Sequence, residues 1–227
     1  RAAMAAGFRR GGMVPLRFAH VGNWREDLAA PGWDAYLASR PGALRETARR
    51  RLRRAERTPG AAFWMIDGPD GIDVGIDAYE RVYARSWKDP EPFPDFNPQL
   101  IRACCRLGIG RLAVFAIDGE PVAAQFWIVE SGRATVLKLA HDEARKALSP
   151  GTALTAWALR RLLDDEGVRS LDFGRGDDPY KRDWVRERRQ MEGLILANPW
   201  RARGAEEIAR DWARRLAARI RPSGGGA

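Results

Sequence analysis

The segment Ser149-Pro150-Gly151-Thr152 carries residue types that can hold an anion. It stands between a strand-like apolar run and a run with apolar residues at helical spacing. Pro150 suits the first turn of a helix, where its missing N–H is not needed, and Gly151 lets a ligand approach the backbone. Because the first N–H groups of a helix are unpaired and lie at its positive end, the segment predicts a phosphate or pyrophosphate site. An ordinary helix start with Ser149 as N-cap explains the same residues.

Four further polar residues stand in or beside predicted strands. His141 follows the strand before this segment and could act as a base, because the ordinary pKa of histidine lies near neutrality; it could equally be a surface or core residue. Asp142 is next to it. Asp172, in the following strand, could be a base or the partner of one. Gln125 interrupts an apolar strand and is either a hydrogen-bonded structural amide or a group that faces the acceptor.

The elements that must position these residues follow from apolar periodicity. Apolar runs at 111–117 and 121–129 read as strands joined by the hairpin signal Asp118-Gly119, and Ser131-Gly132 leads into a third strand at 133–139. A helix from about residue 150 to 163 and a short strand at 170–173 come next. This order predicts an antiparallel meander that gains a parallel strand through a helical crossover.

This strand and helix order resembles the core of the GNAT acyltransferase superfamily. Ser149-Pro150-Gly151 before the helix, and Asp172-Phe-Gly-Arg-Gly-Asp-Asp-Pro-Tyr-Lys181 after it, resemble more narrowly the CelD-type cellulose-biosynthesis acetyltransferases, which are related to the Fem-type aminoacyltransferases. The resemblance covers roughly residues 33–199. It implies an α/β (α+β) fold with a mixed, mostly antiparallel central sheet flanked by helices.

The resemblance implies acetyl-CoA or another acyl-CoA as donor. In GNAT folds two parallel strands splay apart beside this donor, and here they would be residues 133–140 and 170–173. The positions expected to bind the donor are Leu139, Ala140, Ser149, Pro150, Gly151, Thr152 and Ala153. Backbone amides at the splay can polarise the thioester carbonyl.

The resemblance also assigns roles after the second splayed strand. Lys181 is expected to stabilise developing negative charge, and Asp142 is favoured as a polar site residue. With His141 and Asp172 they form the catalytic candidates. Asp177 and Tyr180 are expected to line the acceptor pocket, together with Gln125 if that amide faces the ligand.

Charge favours anionic partners without choosing among them. Lys and Arg number 39 against 30 Asp and Glu, which gives a formal net charge of +9 over 227 residues. Residues 44–57 predict an amphipathic helix with apolar Leu44, Ala48, Leu52 and Ala55 and seven arginines. Its outer face is either simply solvated or a docking surface for an anionic acceptor, a membrane surface or a transfer RNA.

Cysteine usage and hydropathy exclude several classes. The two cysteines, Cys104 and Cys105, are adjacent and cannot form a disulfide framework, which is compatible with a reducing cytosol and a cytoplasmic protein. No run approaches the length of a membrane span and no secretory h-region stands out, so neither a membrane span nor a signal is expected in these residues. No Cys/His metal constellation, serine triad or phosphate-binding Walker loop is found, so no metal is expected.

Three regions are expected along the chain. Residues 1–32 read as the remnant of an upstream domain or a flexible segment, 33–199 as the acyltransferase domain, and 200–227 as an amphipathic helix with a disordered tail. The leading function is acyl-CoA-dependent acylation of a saccharide-like or amine acceptor in polysaccharide biosynthesis. The alternatives are a Fem-like transferase that uses aminoacyl-transfer RNA and a non-catalytic GNAT module. The sequence does not reveal the oligomeric state.

Overall fold

The computed structural model describes residues 2–220 of the chain, and side chains from 3 to 217. The strands are β1 (Val14–Asp27), β2 (Ala61–Ile66), β3 (Gly110–Ile117), β4 (Glu120–Glu130), β5 (Arg133–His141), β6 (Ser170–Arg175) and β7 (Glu187–Ala197). The helices are α1 (Ala2–Arg10), α2 (Trp33–Ala38), α3 (Gly42–Glu56), α4 (Ile72–Ala84), α5 (Phe96–Arg106), α6 (Pro150–Asp164), α7 (Lys181–Trp184) and α8 (Ala202–Ile220). A 3₁₀ helix covers Glu143–Leu148.

The strands form one seven-stranded sheet in the order β2-β3-β4-β5-β6-β1-β7. Strands β2 to β5 are an antiparallel series, β5 and β6 are parallel, and β1 is antiparallel to β6. The predicted mixed, mostly antiparallel sheet flanked by helices is therefore confirmed. Both predicted hairpins have positive φ at their two central residues, as a type I′ turn requires: Asp118 and Gly119 in the first, Ser131 and Gly132 in the second.

Helices cover both faces of the meander. Alternation along β3 sends Ala113 and Phe115 to one face and Leu112 and Val114 to the other. On the first face α2, α3 and α6 bury residues that include Leu37, Leu52, Leu154, Leu159 and Leu162. On the second face α4 and α5 bury Ile76, Tyr79, Val82 and Ile101. Because both faces are covered, the middle strands read as continuous apolar runs.

The chain forms two compact units, which are described separately. Residues 23–189 form the larger unit, and it contains the meander, the crossover through α6 and strand β6. Residues 2–22 and 190–220 form the smaller unit, in which Gln190 Nε2 donates a hydrogen bond to the His20 carbonyl and the ring of Phe18 lies against Gly193.

Strand β1 is longer than the sequence predicts. The run Val14-Pro-Leu-Arg-Phe18 predicts only a short strand, but β1 extends to Asp27, and residues 23–27 pair with β6 across a register shift between Trp24 and Arg25. Scattered glycine, histidine and charged residues hide the alternation that a strand normally shows. The expected disordered tail at 221–227 lies outside the described residues.

A buried ion pair fixes the end of β1 against α2 and the segment that follows α7. Glu26 receives hydrogen bonds from Arg40 at 2.6 and 2.7 Å and from the Arg186 backbone N–H at 2.9 Å. Burial alone would raise the pKa of Glu26, but the hydrogen bonds from Arg40 and Arg186 outweigh it and lower the pKa below its usual value. Arg40 and the Tyr36 hydroxyl also donate to the Trp184 carbonyl. The network therefore anchors the end of α7, the helix that begins with Lys181.

None of the helices between residues 2 and 220 is both long enough and apolar enough to cross a bilayer.

Candidate functional site

Strands β5 and β6 separate and leave a wedge between them. They pair only from Arg133 to Thr135 with residues 170–172, although β5 continues to His141 and β6 to Arg175. On its other edge, β5 pairs with β4 up to His141, with Trp127 opposite Val136 and Phe126 opposite Lys138. Leu137 is therefore the extra residue of a β-bulge. The bulge lies where the strands part, so the edge of β5 facing the wedge offers backbone groups to a ligand.

The wedge opens into a cleft of about 290 Å³, which we call the transfer cleft. Its lining comes from β5, from the end of β6 with the loop after it, and from the segment after α4: Val136, Leu137, Lys138, Leu139, Phe173, Gly174, Arg175, Asp178, Tyr180, Lys181, Trp87 and Lys88. The structure thus brings together the predicted site residues Leu139, Tyr180 and Lys181.

Lys181 is the most deeply buried cation of this cleft, with 5% of its surface exposed. Its Nζ donates to the Arg175 carbonyl at 2.6 Å and lies 3.0 Å from Asp178 Oδ2. A buried ammonium needs such partners to offset its desolvation. Because these contacts hold the ammonium at the cleft wall, it can stabilise negative charge on a ligand without a large rearrangement.

Two more lysines make the transfer cleft electropositive. Lys138 Nζ pairs with Glu91 Oε1 at 2.5 Å, and half-buried Lys88 lies near the rings of Tyr83 and Trp87. Burial lowers the pKa of Lys88 most, and the positive charge of Lys138 lowers it further. A lysine whose pKa is lowered gives up its proton more readily, so Lys88 can serve as a base.

Tyr180 presents its phenol to the transfer cleft. Burial of the ring, with a contribution from the charge of Asp178, raises the pKa of Tyr180 to about 12. The phenol therefore stays protonated at neutral pH and is a hydrogen-bond donor. A positioned donor of this kind can stabilise a leaving thiolate by a hydrogen bond.

His141 links the transfer cleft to the start of α6. Its ring lies 4.5 Å from the Trp87 ring, between centroids, and a Cβ built on Gly151 would lie 3.3 Å from its Nδ1. Its Nε2 is 3.2 Å from Glu143 Oε1. Burial lowers the pKa of His141, so the imidazole is neutral at pH 7. His141 lies behind Trp87 and is not part of the cleft lining.

The predicted anion segment has a different local structure from a simple capped helix. Ser149 adopts the left-handed region, with φ 52° and ψ 51°, and its side chain makes no capping hydrogen bond. Residues 149–153 are absent from the lining of the transfer cleft as it is formed by the described residues. Ala140 is buried in the second hydrophobic cluster. At the N-terminus of α6, Gly151 lies beside His141, which in turn packs against Trp87 of the cleft lining.

Two of the predicted catalytic carboxylates have structural partners. Asp142 accepts a hydrogen bond from the Ala144 N–H at 2.9 Å, so it caps the 3₁₀ helix, and it lies 3.4 Å from Arg85 Nε. Asp172 accepts from the Gly174 N–H at 2.8 Å and from Asn23 Nδ2 at 3.2 Å. These bonds hold the bend that turns the end of β6 away from β5.

Gln125 and Asp177 lie away from the cleft lining. Gln125 is buried; its Nε2 donates to Thr155 Oγ1 at 2.7 Å and its Oε1 accepts from Trp127 Nε1 at 3.2 Å. The amide thus ties β4 to the first turns of α6, as the structural alternative expects. Asp177 is exposed and pairs with Arg188 at 2.6 Å.

Sequence reasoning missed Trp87, Lys88 and Lys138. Apolar residues at helical spacing between Val74 and Trp87 predict a helix that runs to Trp87. Helix α4 instead ends at Ala84, and the turn that follows places Trp87 and Lys88 at the cleft. The nearby Pro90 was the available signal, because the region before a proline disfavours continued helix. Lys138 is a charged residue within an apolar strand, a pattern that commonly marks a side chain facing a site.

Comparison with known proteins decides the family. The family described as Acetyltransferase (GNAT) domain matches residues 42–182, which is more than half of the chain. The chain belongs to this GNAT family. It is accordingly an acyltransferase of the GNAT type, and the matched residues run from α3 to the first turn of α7. A comparison with curated protein sequences gave no match.

Solved structures share the fold at low sequence identity. The C-terminal domain (DUF2156) of a putative lysylphosphatidylglycerol synthetase from Agrobacterium fabrum has a TM-score of 0.60 at 16% identity, over 93% of this chain and 69% of that one. L-PGS from Bacillus licheniformis has 0.58 at 17%, over 96% and 71%. FemX has 0.59 at 10%, over 80% of this chain and 63% of its own. At these identities the likeness shows the fold alone.

Proposed function

We propose that this GNAT domain transfers an acyl group from an acyl-CoA, acetyl-CoA being the first donor to test, to a saccharide-like or amine acceptor. The CelD-type resemblance in the sequence supports the donor and the saccharide. The main structural support for the proposal is the wedge between β5 and β6, which has a bulge at Leu137 and the ammonium of Lys181 at its wall.

The transfer cleft contains groups for each step of an acyl transfer. The acceptor oxygen or nitrogen forms a bond to the acyl carbon and gives its proton to Lys88, whose lowered pKa raises the fraction present as the free amine above that of an ordinary lysine. Backbone groups of β5 at the bulge polarise the carbonyl, and Lys181 stabilises the negative charge that develops. The carbon–sulfur bond then breaks, the Tyr180 phenol donates a hydrogen bond to the departing thiolate, and the thiolate takes up the proton that Lys88 removed from the acceptor.

A thermal-shift titration with acetyl-CoA tests the donor directly. At 100 times its dissociation constant a ligand stabilises the folded state by about 2.7 kcal/mol, which raises Tm by about 5–10 °C for a chain of this size. Mass spectrometry of a mixed acceptor panel then detects the acylated product. Stabilisation without product would support the non-catalytic alternative, and no shift at millimolar acetyl-CoA would overturn the donor proposal.

A second candidate function uses an aminoacyl-transfer RNA as donor, and the outer face of α3 favours it. Apolar Ala48, Leu52 and Ala55 are buried, as the sequence predicts, while Leu44 is half-buried. The opposite side forms an arginine surface that lines one continuous groove: Arg45, Arg49, Arg50, Arg53, Arg54 and Arg57. Such forked cations suit the phosphates of a nucleic acid.

Charge reversal of the arginine surface separates the two candidates. In a protein with Arg49, Arg50 and Arg53 changed to Glu, a transfer RNA donor would show a higher KM at low salt, and the difference would shrink at high salt. A reaction that uses acetyl-CoA at the transfer cleft would keep its donor KM at every salt concentration. Reversal of Arg201, Arg203 and Arg210, in α8 and at the residue before it, provides a control with the same charge change away from α3.

A further inference from the structure

A second cavity adjoins the transfer cleft, between α4, α5 and the proline-rich loop that joins them. It has a volume of about 380 Å³, which lies in the range of about 300–1,000 Å³ typical of small-molecule sites. We call it the tyrosine pocket. Its lining consists of Tyr79, Glu80, Tyr83, Ala84, Lys88, Pro90, Glu91, Pro94, Asn97 and Pro98.

The tyrosine pocket and the transfer cleft share a boundary. Lys88 lines both of them. Glu91 of the tyrosine pocket pairs with Lys138 of the transfer cleft, with 2.5 Å between Oε1 and Nζ. Lys88 and the Glu91–Lys138 ion pair therefore separate a ligand in the tyrosine pocket from the reacting groups of the transfer cleft.

Asn97 provides an unused acceptor in this pocket. Its side chain is 3% exposed, and its Nδ2 donates to the Tyr79 hydroxyl at 3.3 Å. Its Oδ1 is buried and has no hydrogen-bond partner among the residues that the structure describes. Buried polar atoms are nearly always paired, and Asn97 belongs to the lining of the cavity, so its orphaned oxygen points to a ligand that donates a hydrogen bond once the amide turns toward it.

The charges of the tyrosine pocket disfavour a cation. Glu91 is already paired with Lys138, and this hydrogen bond is the largest cause that lowers the pKa of Glu91. The Tyr83 hydroxyl also lies 3.3 Å from its Oε1. Beside Lys88 an ammonium would thus find the Glu91 carboxylate occupied and would be repelled by Lys88 itself. The other carboxylate of the lining, Glu80, is exposed to solvent, which screens its attraction for a cation.

The walls favour a flat, uncharged ring. The Tyr79 and Tyr83 rings are 5.8 Å apart and tilted by 39°, and three prolines complete the apolar surface. Aromatic walls with a few fixed acceptors bind rings that carry hydroxyl donors, because the apolar faces pack while each hydroxyl satisfies one acceptor.

We propose that the tyrosine pocket is the acceptor subsite and that it takes a neutral ring bearing hydroxyl groups, such as a sugar, in preference to an amine. The Asn97 amide oxygen accepts a hydrogen bond from one ring hydroxyl, and the hydroxyl to be acylated lies toward Lys88. This inference rests on the proposed function, since an acceptor subsite requires a transfer reaction beside it.

Nuclear magnetic resonance without any donor tests the subsite. Protein carrying ¹³C-labelled tyrosine rings is titrated with methyl β-D-glucopyranoside and, separately, with n-butylamine. We expect the sugar to shift the Tyr83 ring resonances and to show Overhauser contacts to that ring, and the amine to bind more weakly. Absence of sugar contacts to Tyr83 at saturating sugar, or tighter binding of the amine, would overturn the proposal.

A double variant then tests the role of the amide. Asn97→Leu together with Tyr79→Phe removes both partners of their hydrogen bond, while Glu91 loses the hydrogen bond from Asn97 but keeps those from Lys138 and Tyr83. We expect sugar affinity to fall about tenfold because the hydroxyl loses its acceptor. Gln99→Leu, an exposed position on the same helix α5, is the matched control and should bind as the wild type does. Equal affinity in all three proteins would overturn the assignment of Asn97.

The two proposals fail in different ways. If the sugar binds at Tyr83 but no acyl transfer occurs with acetyl-CoA, the proposed function is wrong and the binding site stands. If transfer occurs and is lost in Lys181 variants, but the acceptor KM is unchanged in the double variant, the subsite is wrong and the function stands.

Discussion

Replacing Lys181 by methionine removes the ammonium at the wall of the transfer cleft and keeps most of the side-chain volume. The ammonium makes two contacts, with the Arg175 carbonyl at 2.6 Å and with Asp178 Oδ2 at 3.0 Å. If it stabilises charge that develops in the transition state, kcat and kcat/KM should fall together while the donor KM changes little. The expected loss in kcat is about 10²–10³-fold, the amount typical for removal of one such donor.

The cost to folding should be much smaller. The Arg175 carbonyl loses its partner, which costs about 1–3 kcal/mol, but methionine also relieves the burial of a charge. A net loss near the lower end of that range lowers Tm by about 2–4 °C for a chain of this length. Acyl transfer is measured by mass spectrometry or thiol release, and Tm by calorimetry.

Lys146→Met is the matched control, because Lys146 is exposed, 3.2 Å from Glu143 on the 3₁₀ helix, and outside the cleft. It should keep wild-type kcat. A Lys181→Met protein that is folded and retains kcat within about threefold would refute the role given to this residue.

Lys88→Met should lower kcat by about 10²-fold and abolish the alkaline rise of kcat/KM. Because the pKa of Lys88 is lowered, that rise in the wild type should occur below the range of an ordinary lysine. An unchanged pH profile in the variant would exclude Lys88 as the base. Gly151→Asp should weaken acetyl-CoA binding by repelling its phosphates, although an acidic residue in the first turn of α6 favours the helix itself. Gly151→Ala is the control, because it places the same Cβ 3.3 Å from His141 Nδ1 without the charge. Equal acetyl-CoA binding by the two variants would contradict an anion site there. Arg40→Ala should destabilise the fold by about 3–5 kcal/mol at pH 7. The pKa of Glu26 is lowered in the folded wild type, so its contribution is present above the unfolded pKa and is lost on acidification; the variant should lose less on going from pH 7 to pH 4, and parallel denaturation curves at both pH values would count against this pairing.

The meander and the crossover could be predicted because their signals are local. Asp118-Gly119 and Ser131-Gly132 determine two turns with positive φ, and the apolar runs beside them are buried on both faces. The helix at α6 followed from apolar spacing and Pro150 at its first position. These features do not depend on distant residues, so the sequence alone shows them.

The details of the site depend on distant pairing and were not predictable. The extent of β1 follows from its pairing with β6, about 150 residues away in the chain. Asp142 caps the 3₁₀ helix while Ser149 takes a left-handed conformation, and only the folded backbone reveals which of the two caps. Trp87 and Lys88 reach the cleft because α4 ends at Ala84, and helix ends are the least certain part of any sequence-based assignment.

The position of a bound donor shows whether the acyl group is transferred in the wedge between β5 and β6. A crystal structure with a non-hydrolysable acetyl-CoA analogue should place the carbonyl oxygen within hydrogen-bond distance of the β5 backbone beside Leu137, between β5 and the end of β6, with Lys181 at the wall. The pyrophosphate should lie at the start of α6, near Gly151. An analogue bound along the arginine surface of α3, with the wedge between β5 and β6 left open, would contradict the account.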